Sequence, residues 1–201
     1  MADSNLTTIK NYSNTEVPAE VLVLLSGGLD SASCLDFYIN LDRPTHAMFI
    51  DYQQASVYQE KKSAIDIADY YSTSLSITNW VGIKDKHTGL IQGRNAFLLT
   101  AALMEMPDCI TTIAIGIHSG TKYSDCSHNF IEKMQAVFDM YTNGLIKIAA
   151  PFKDWSKADI WAYANKGKMP VELTYSCESG EEKPCGICES CLDRVGIKSN
   201  A

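Results

Sequence analysis

Short apolar runs alternate with amphipathic ones along most of the chain. Residues 20–25 (EVLVLL) are almost continuously apolar, the pattern of a strand buried on both faces. A glycine turn, Ser26-Gly27-Gly28, follows it. Residues 31–41 then repeat at helical spacing, with Cys34, Leu35, Tyr38 and Leu41 on one face. The same alternation predicts a strand over Thr45–Asp51, a helix over residues 57–71 and a short strand over 74–78. Residues 79–93 read as irregular, with Gly82, Gly89 and Gly93. Beyond them the pattern predicts helix 94–106, strand 109–117, helix 125–141, strand 146–149 and helix 156–165, the last opening on a Ser156 cap. Residues 1–19 are polar and aperiodic, a flexible lead-in. The tail from Pro170 is rich in Cys and Gly and poor in periodicity.

Strands alternating with helices imply βαβ units. The expected fold is α/β, a doubly wound, mostly parallel five-stranded sheet over residues 20–169, with a four-cysteine segment over 170–201. In such sheets ligands bind beyond the carboxyl ends of the strands, near the point where the strand order reverses. The chemistry is therefore sought in the residues that follow each apolar run. Aromatic and Met residues at helical spacing (Phe97, Met104, Phe130, Met134, Phe138) are read as core, and His87 and His128 as surface.

The first of those positions is the most informative. The turn Ser26-Gly27-Gly28-Leu29-Asp30-Ser31 joins a buried strand to a helix. Its glycines permit positive φ and close backbone approach, and its amides with the helix start form an anion nest to which Ser26 and Ser31 add hydroxyls. Asp30 is out of place beside phosphate unless a divalent cation such as Mg²⁺ bridges them. A tight turn with Asp30 as a cap explains a Ser-Gly-Gly triplet equally well, but not the whole S-G-G-x-D-S. No Gly-Lys-Ser/Thr follows, so this is not a Walker A loop.

The cysteines sharpen the picture. Of seven, Cys34, Cys109 and Cys126 are scattered, while Cys177, Cys185, Cys188 and Cys191 crowd into 15 residues. Four thiolates with C-x-x-C spacing suit a structural Zn²⁺, and they leave no open position on it. An iron–sulfur cluster is the chemical alternative. Nothing at the N-terminus resembles a signal peptide, and no apolar stretch reaches membrane-spanning length, so a cytoplasmic enzyme is expected. The net charge of −7 argues against a nucleic-acid partner.

The loop resembles the signature of the PP-loop ATP pyrophosphatases (adenine nucleotide alpha hydrolase-like). Together with the cysteine tail, the chain resembles the 7-cyano-7-deazaguanine synthase family from about residue 20 to its end. The supports are the loop 26–31, Asp51-Tyr52-x-Gln54, Gly93-Arg94-Asn95, Ile115-Gly116, Ser124-Asp125-Cys126, Ser176-Cys177, and Cys-Gly-x-Cys-x-Ser-Cys-x-x-Arg ending at Arg194. The resemblance implies an ATP-dependent C–N ligase. ATP would adenylate 7-carboxy-7-deazaguanine, ammonia would give the amide, and a second adenylation would give the nitrile. It also implies a homodimer with one zinc per chain. Ser26, Gly27, Gly28, Asp30, Ser31, Asp51, Arg94, Asn95 and Gly116 would bind nucleotide. Asp30, Arg94 and Asp125 would take part in catalysis.

Each motif also has a plainer reading. Asp51 can be a strand-end cap, Arg94 a surface ion-pair partner, Asp125 the cap of the helix after it, and Cys126 simple packing. His118, following the fourth strand, is either a site residue or an exposed loop histidine. Two stretches depart from the family. Gln53-Gln54-Ala55-Ser56 stands where a Gly-Gln-Arg-His-like segment is usual, and the loop from His118 to Asp125 is shorter and lacks Asp-Tyr-Ser-Gly. These changes motivate a variant expectation: a ligase that stops at the amide, or joins the acid to another amine such as a protein terminus. A PP-loop tRNA-modifying enzyme and a non-catalytic nucleotide-binding protein are the remaining readings.

Overall fold

The computed structural model describes residues 19–81, 91–121, 123–167 and 169–199. Five parallel strands lie in the order β3-β2-β1-β4-β5. They are β1 (Glu20–Leu24), β2 (Thr45–Asp51), β3 (Leu75–Asn79), β4 (Ile110–Ala114) and β5 (Lys147–Ala149). The helices are α1 (Leu29–Ile39), α2 (Val57–Tyr70), α3 (Arg94–Glu105), α4 (His128–Thr142), α5 (Lys157–Lys166) and α6 (Glu189–Ser199). Gly82, His87 and Gly89 lie outside the described residues.

The period-two alternation of β1 divides the core. Val21 and Val23 face α1, α2 and α5, with Phe49, Phe152 and Ile160 in the same cluster. Leu22 and Leu24 face α3 and α4, with Met48, Ile113 and Phe138. Burial on both faces explains why β1 has no polar alternation. One carboxylate is enclosed on the first face. Asp36 accepts from Tyr71 at 2.7 Å, Tyr163 at 2.6 Å and Asn40 at 2.8 Å, which ties α1 to α5 and to the end of α2. Burial, then this carboxylate, push both tyrosine pKa values up.

Boundaries shift by one to several residues, most at strand β4, which is shorter than its apolar run. Met104, expected in the core, and Leu41, expected on the apolar face of α1, are both exposed. Met104 is 67% exposed, on the outer side of α3. Leu41 is 54% exposed, because α1 ends before it and the chain turns away. The tail carries a helix, α6, that its mixed polar pattern does not announce. Asp125 belongs to a 3-10 turn, Ser124–Cys126, and α4 starts only after Ser127, whose hydroxyl accepts from the Phe130 amide at 3.2 Å. His128 is exposed, with its Nε2 3.2 Å from Glu132. Among the described residues, no helix is long and apolar enough to cross a membrane.

Candidate active site

The strand order reverses between β1 and β4, and the loop 26–31 emerges at that point. Gly27 takes φ +81. A Cβ on it would stand 2.4 Å from the Glu60 carbonyl oxygen, so α2 presses on the loop where only glycine fits. Gly28 is the N-cap of α1 and no side chain caps that helix. Inside the turn, Ser31 Oγ donates to Gly28 O at 3.0 Å, accepts from the Ser26 amide at 3.2 Å and lies 3.0 Å from Ser26 Oγ. The two serines thus set the loop's shape, while the helix N-terminus keeps its positive end uncapped by any side chain.

Gly116 serves the same loop from β4's side. A Cβ there would lie 2.6 Å from Asp30 O and 2.8 Å from Ser31 N, both backbone atoms. The strap after β4 therefore runs directly against the first turn of α1. Asp30 turns both carboxylate oxygens to Lys157 Nζ, at 2.6 and 2.7 Å. His118 Nε2 is 3.7 Å from Asp30 Oδ2, and its Nδ1 donates to Ser119 O at 2.5 Å. His118 is thus a largely buried neighbour of Asp30 rather than an exposed loop residue. Lys157 escaped the sequence reading. Its signal was a lysine just inside a capped helix after the fifth strand, and only the fold places that helix start beside the loop. Ser156 and Asp159 close a full capping box around it.

A second group follows β2 and opens α3. Asp51 Oδ1 accepts from the Gln53 amide at 3.0 Å, and Gln53 takes φ +65. Gln54 is spent internally, accepting from Tyr52 N and donating to Glu60 at 2.8 Å. Ser56 also donates to Glu60, at 2.6 Å. Arg94 begins α3 beside Tyr52, whose hydroxyl pKa burial raises despite that guanidinium. Among the described residues no carboxylate lies within ion-pair distance of Arg94. Buried Asn95 donates its amide to Asp125 Oδ2 at 3.3 Å and its Nδ2 to Asp125 O at 2.9 Å. Asp125 therefore caps α3 across the fold, not the helix after it. Tyr52, Phe97 and Trp80 meet edge to face beside Arg94.

The four tail cysteines converge. Their sulfurs all lie within 4.8 Å of one another. The Cys185 amide donates to Cys177 Sγ at 3.3 Å and the Cys188 amide to Cys185 Sγ at 3.4 Å. Burial opposes ionisation of Cys177, but donors from the Cys185 amide and Ser179 outweigh it and bring the thiol down to about 6. Amides of Ile187 and Cys188 lower Cys185 as well, whereas burial pushes Cys191 up to about 12. Four sulfurs with amide donors turned to them form a set suited to a tetrahedral metal.

The segment carrying these sulfurs rests on the loop 26–31 and on the turn before α2. Tyr175 N donates to Gly27 O at 2.9 Å, and a Cβ on Gly180 would come 2.3 Å from Ala55 O. Arg194 fixes α6 by donating to Thr174 O and Val171 O, each at 3.0 Å.

Comparison with known proteins agrees with this fold. The model of the family described as queuosine biosynthesis protein QueC matches residues 74–198. The 7-cyano-7-deazaguanine synthase of Trichodesmium erythraeum is 31% identical over 211 residues, covering 88% of this chain and 94% of that protein. The protein of the same name from Campylobacter curvus is 29% identical, covering 89% and 95%. Among solved structures, the U34-tRNA thiolase NcsA of Methanococcus maripaludis, with its 4Fe-4S cluster, aligns at TM-score 0.51 and 16% identity, covering 91% of this chain and 66% of that one. The NMN synthetase of Francisella tularensis aligns at TM-score 0.51 and 13% identity, covering 92% and 85%. These two likenesses concern the fold.

Proposed function

The chain belongs to the family of the queuosine biosynthesis protein QueC, a class of ATP-dependent enzymes, and on that premise we propose that it adenylates the carboxylate of 7-carboxy-7-deazaguanine. The observation that carries this reading is the loop 26–31, a glycine turn at an α1 N-terminus without a side-chain cap, with Lys157 paired to its Asp30. The loop amides, Ser26 and Ser31 would receive the pyrophosphate portion of ATP. Lys157, oriented by Asp30, would counter charge that develops on the phosphates as the α–β bond breaks. Arg94 would clamp phosphate or substrate carboxylate. Asp51 would meet the adenosine or a Mg²⁺ ion, and Gly116 would leave room for the nucleotide. Asp125 Oδ1, with no hydrogen-bond partner among the described residues, can accept from the N–H edge of a guanine-like ring.

In the reaction, a carboxylate oxygen attacks the α-phosphorus and pyrophosphate leaves. Ammonia attacks the acyl carbon and AMP departs, giving the amide. The amide oxygen then attacks a second ATP, pyrophosphate leaves again, and loss of AMP with the amide's protons gives the nitrile. The residues here supply position and charge rather than a covalent step. Cys177, Cys185, Cys188 and Cys191 would hold a structural Zn²⁺, with no open position for chemistry. A homodimer in the cytoplasm completes the reading.

A second reading shares the first half-reaction and stops at an amide, with ammonia or another amine, such as a protein terminus, as acceptor. It is favoured by the stretch after β2, where Gln54 and Ser56 are committed to Glu60 and no basic side chain stands. Incubation with Mg-ATP, ammonium and 7-carboxy-7-deazaguanine, followed by AMP and product masses, tests both. A nitrile with twice as much AMP as product supports the first. An amide with equal AMP, or AMP only with an added amine, supports the second. No AMP with this acid sinks both, and metal analysis separates zinc from iron.

A further inference from the structure

A second cluster of metal-ligating atoms lies at the opposite end of the sheet from the loop 26–31. Glu20 opens β1, His46 is the second residue of β2, and Cys109 immediately precedes β4. These three strands are adjacent in the sheet, so their amino-terminal ends bring a carboxylate, an imidazole and a thiol together. One oxygen, one nitrogen and one sulfur lie within 4.8 Å of one another. His46 Nε2 is 2.7 Å from Glu20 Oε2, and His46 Nδ1 is 2.7 Å from Ser74 Oγ. None of these groups takes part in the nucleotide site or the cysteine knuckle.

We propose that Glu20, His46 and Cys109 form a second zinc site. Thiolate with imidazole and carboxylate is a donor set that suits Zn²⁺ and is too soft for Mg²⁺ or Ca²⁺. Bond lengths of about 2.0–2.3 Å place neighbouring tetrahedral ligand atoms about 3.4–3.7 Å apart. The sulfur lies within 4.8 Å of both other atoms, and the His46–Glu20 pair at 2.7 Å has to open by less than about 1 Å, adjustments of a size that side-chain rotation supplies. Ser74 provides the outer partner that a metal-bound histidine needs: with Nδ1–H donated to its hydroxyl, Nε2 presents a lone pair to the ion. Three protein ligands leave a fourth position for water, and the ion stitches β1, β2 and β4 at the end where β1 and β4 slip register between Glu20 and Val21.

The test uses the full chain, loaded with excess zinc, freed of unbound metal by gel filtration and assayed for zinc by mass spectrometry. The wild type is expected to carry one ion per knuckle and one per Glu20–His46–Cys109 group. Cys109→Ser and His46→Ala should each lose one equivalent and keep the knuckle ion, with AMP formation unchanged. Alkylation of Cys109 in the wild type gives a readout that needs no variant: zinc should slow it at least tenfold. Zinc content in the wild type no higher than in both variants, or Cys109 alkylation indifferent to zinc, would each overturn the proposal.

Discussion

Gly116→Ala isolates the contact between the strap after β4 and the loop 26–31. The added methyl would meet Asp30 O at 2.6 Å, Asp30 C at 2.7 Å and Ser31 N at 2.8 Å. Ordinary contact needs about 3.5–4.0 Å, so the strap after β4 and the first turn of α1 must part by about 1 Å. All three atoms are backbone, and no flexible side chain can yield instead. Overpacking of this kind costs about 1–3 kcal/mol, which for a chain of this size lowers Tm by about 2–12 °C. A shift of about 1 Å in a phosphate-binding loop costs about 100-fold in kcat/KM. Gly144→Ala is the matched control. It follows α4 at φ +74, and its methyl would meet only the ends of Asp139 and Lys147, at 3.7 and 3.8 Å. Left-handed strain there costs about 1–2 kcal/mol without touching the loop. Thermal melts and AMP release, run on both variants, should give comparable losses of Tm but loss of activity only at Gly116. A Gly116→Ala protein that melts early yet keeps AMP formation within twofold of wild type refutes the argument.

Lys157→Met keeps the aliphatic stem and removes the ammonium, so AMP formation should fall about 100-fold with only a small change in Tm; activity within threefold would reduce Lys157 to a structural partner of Asp30. Removing metal with a chelator should weaken ATP binding as well as fold stability, because Tyr175 holds Gly27 through its amide; calorimetric titration showing unchanged ATP affinity would sink that link. In the metal-free protein the Cys177 thiolate contributes stability fully above its ordinary value of 9.0, and this is lost as pH falls through about 6, which melts across that range should register. Asp36→Ala leaves the Tyr71 and Tyr163 hydroxyls without their acceptor, costing about 3 kcal/mol and about 6–12 °C in Tm, checked by melting.

Much of this molecule is written locally. The apolar runs at β1, β2 and β4 are buried on both faces, so they carry no alternation and stand out as strands. Loop 26–31 and the four tail cysteines are contiguous or nearly so, and their chemistry depends on spacing within one segment. Helix α5 announces itself through Ser156 and Asp159, three residues apart. Met104 misled because periodicity says which residues share a face, but not which face the rest of the fold covers; Leu41 misled because α1 ends before it, and α6 because its mixed polar pattern carries little periodicity.

What tertiary structure alone decided is every partnership between distant segments. Asp30 meets Lys157 across 127 residues. Asp125 caps a helix that starts 31 residues before it, and Gly180 fits against Ala55. Glu20, His46 and Cys109 become one cluster only because β2, β1 and β4 are neighbours in the sheet. The hydrophobic pattern and the glycine turns determined which elements form, since those preferences act over a few residues. Which side chains then face one another depends on strand order and on where each loop lands, and the packing of the whole core sets both.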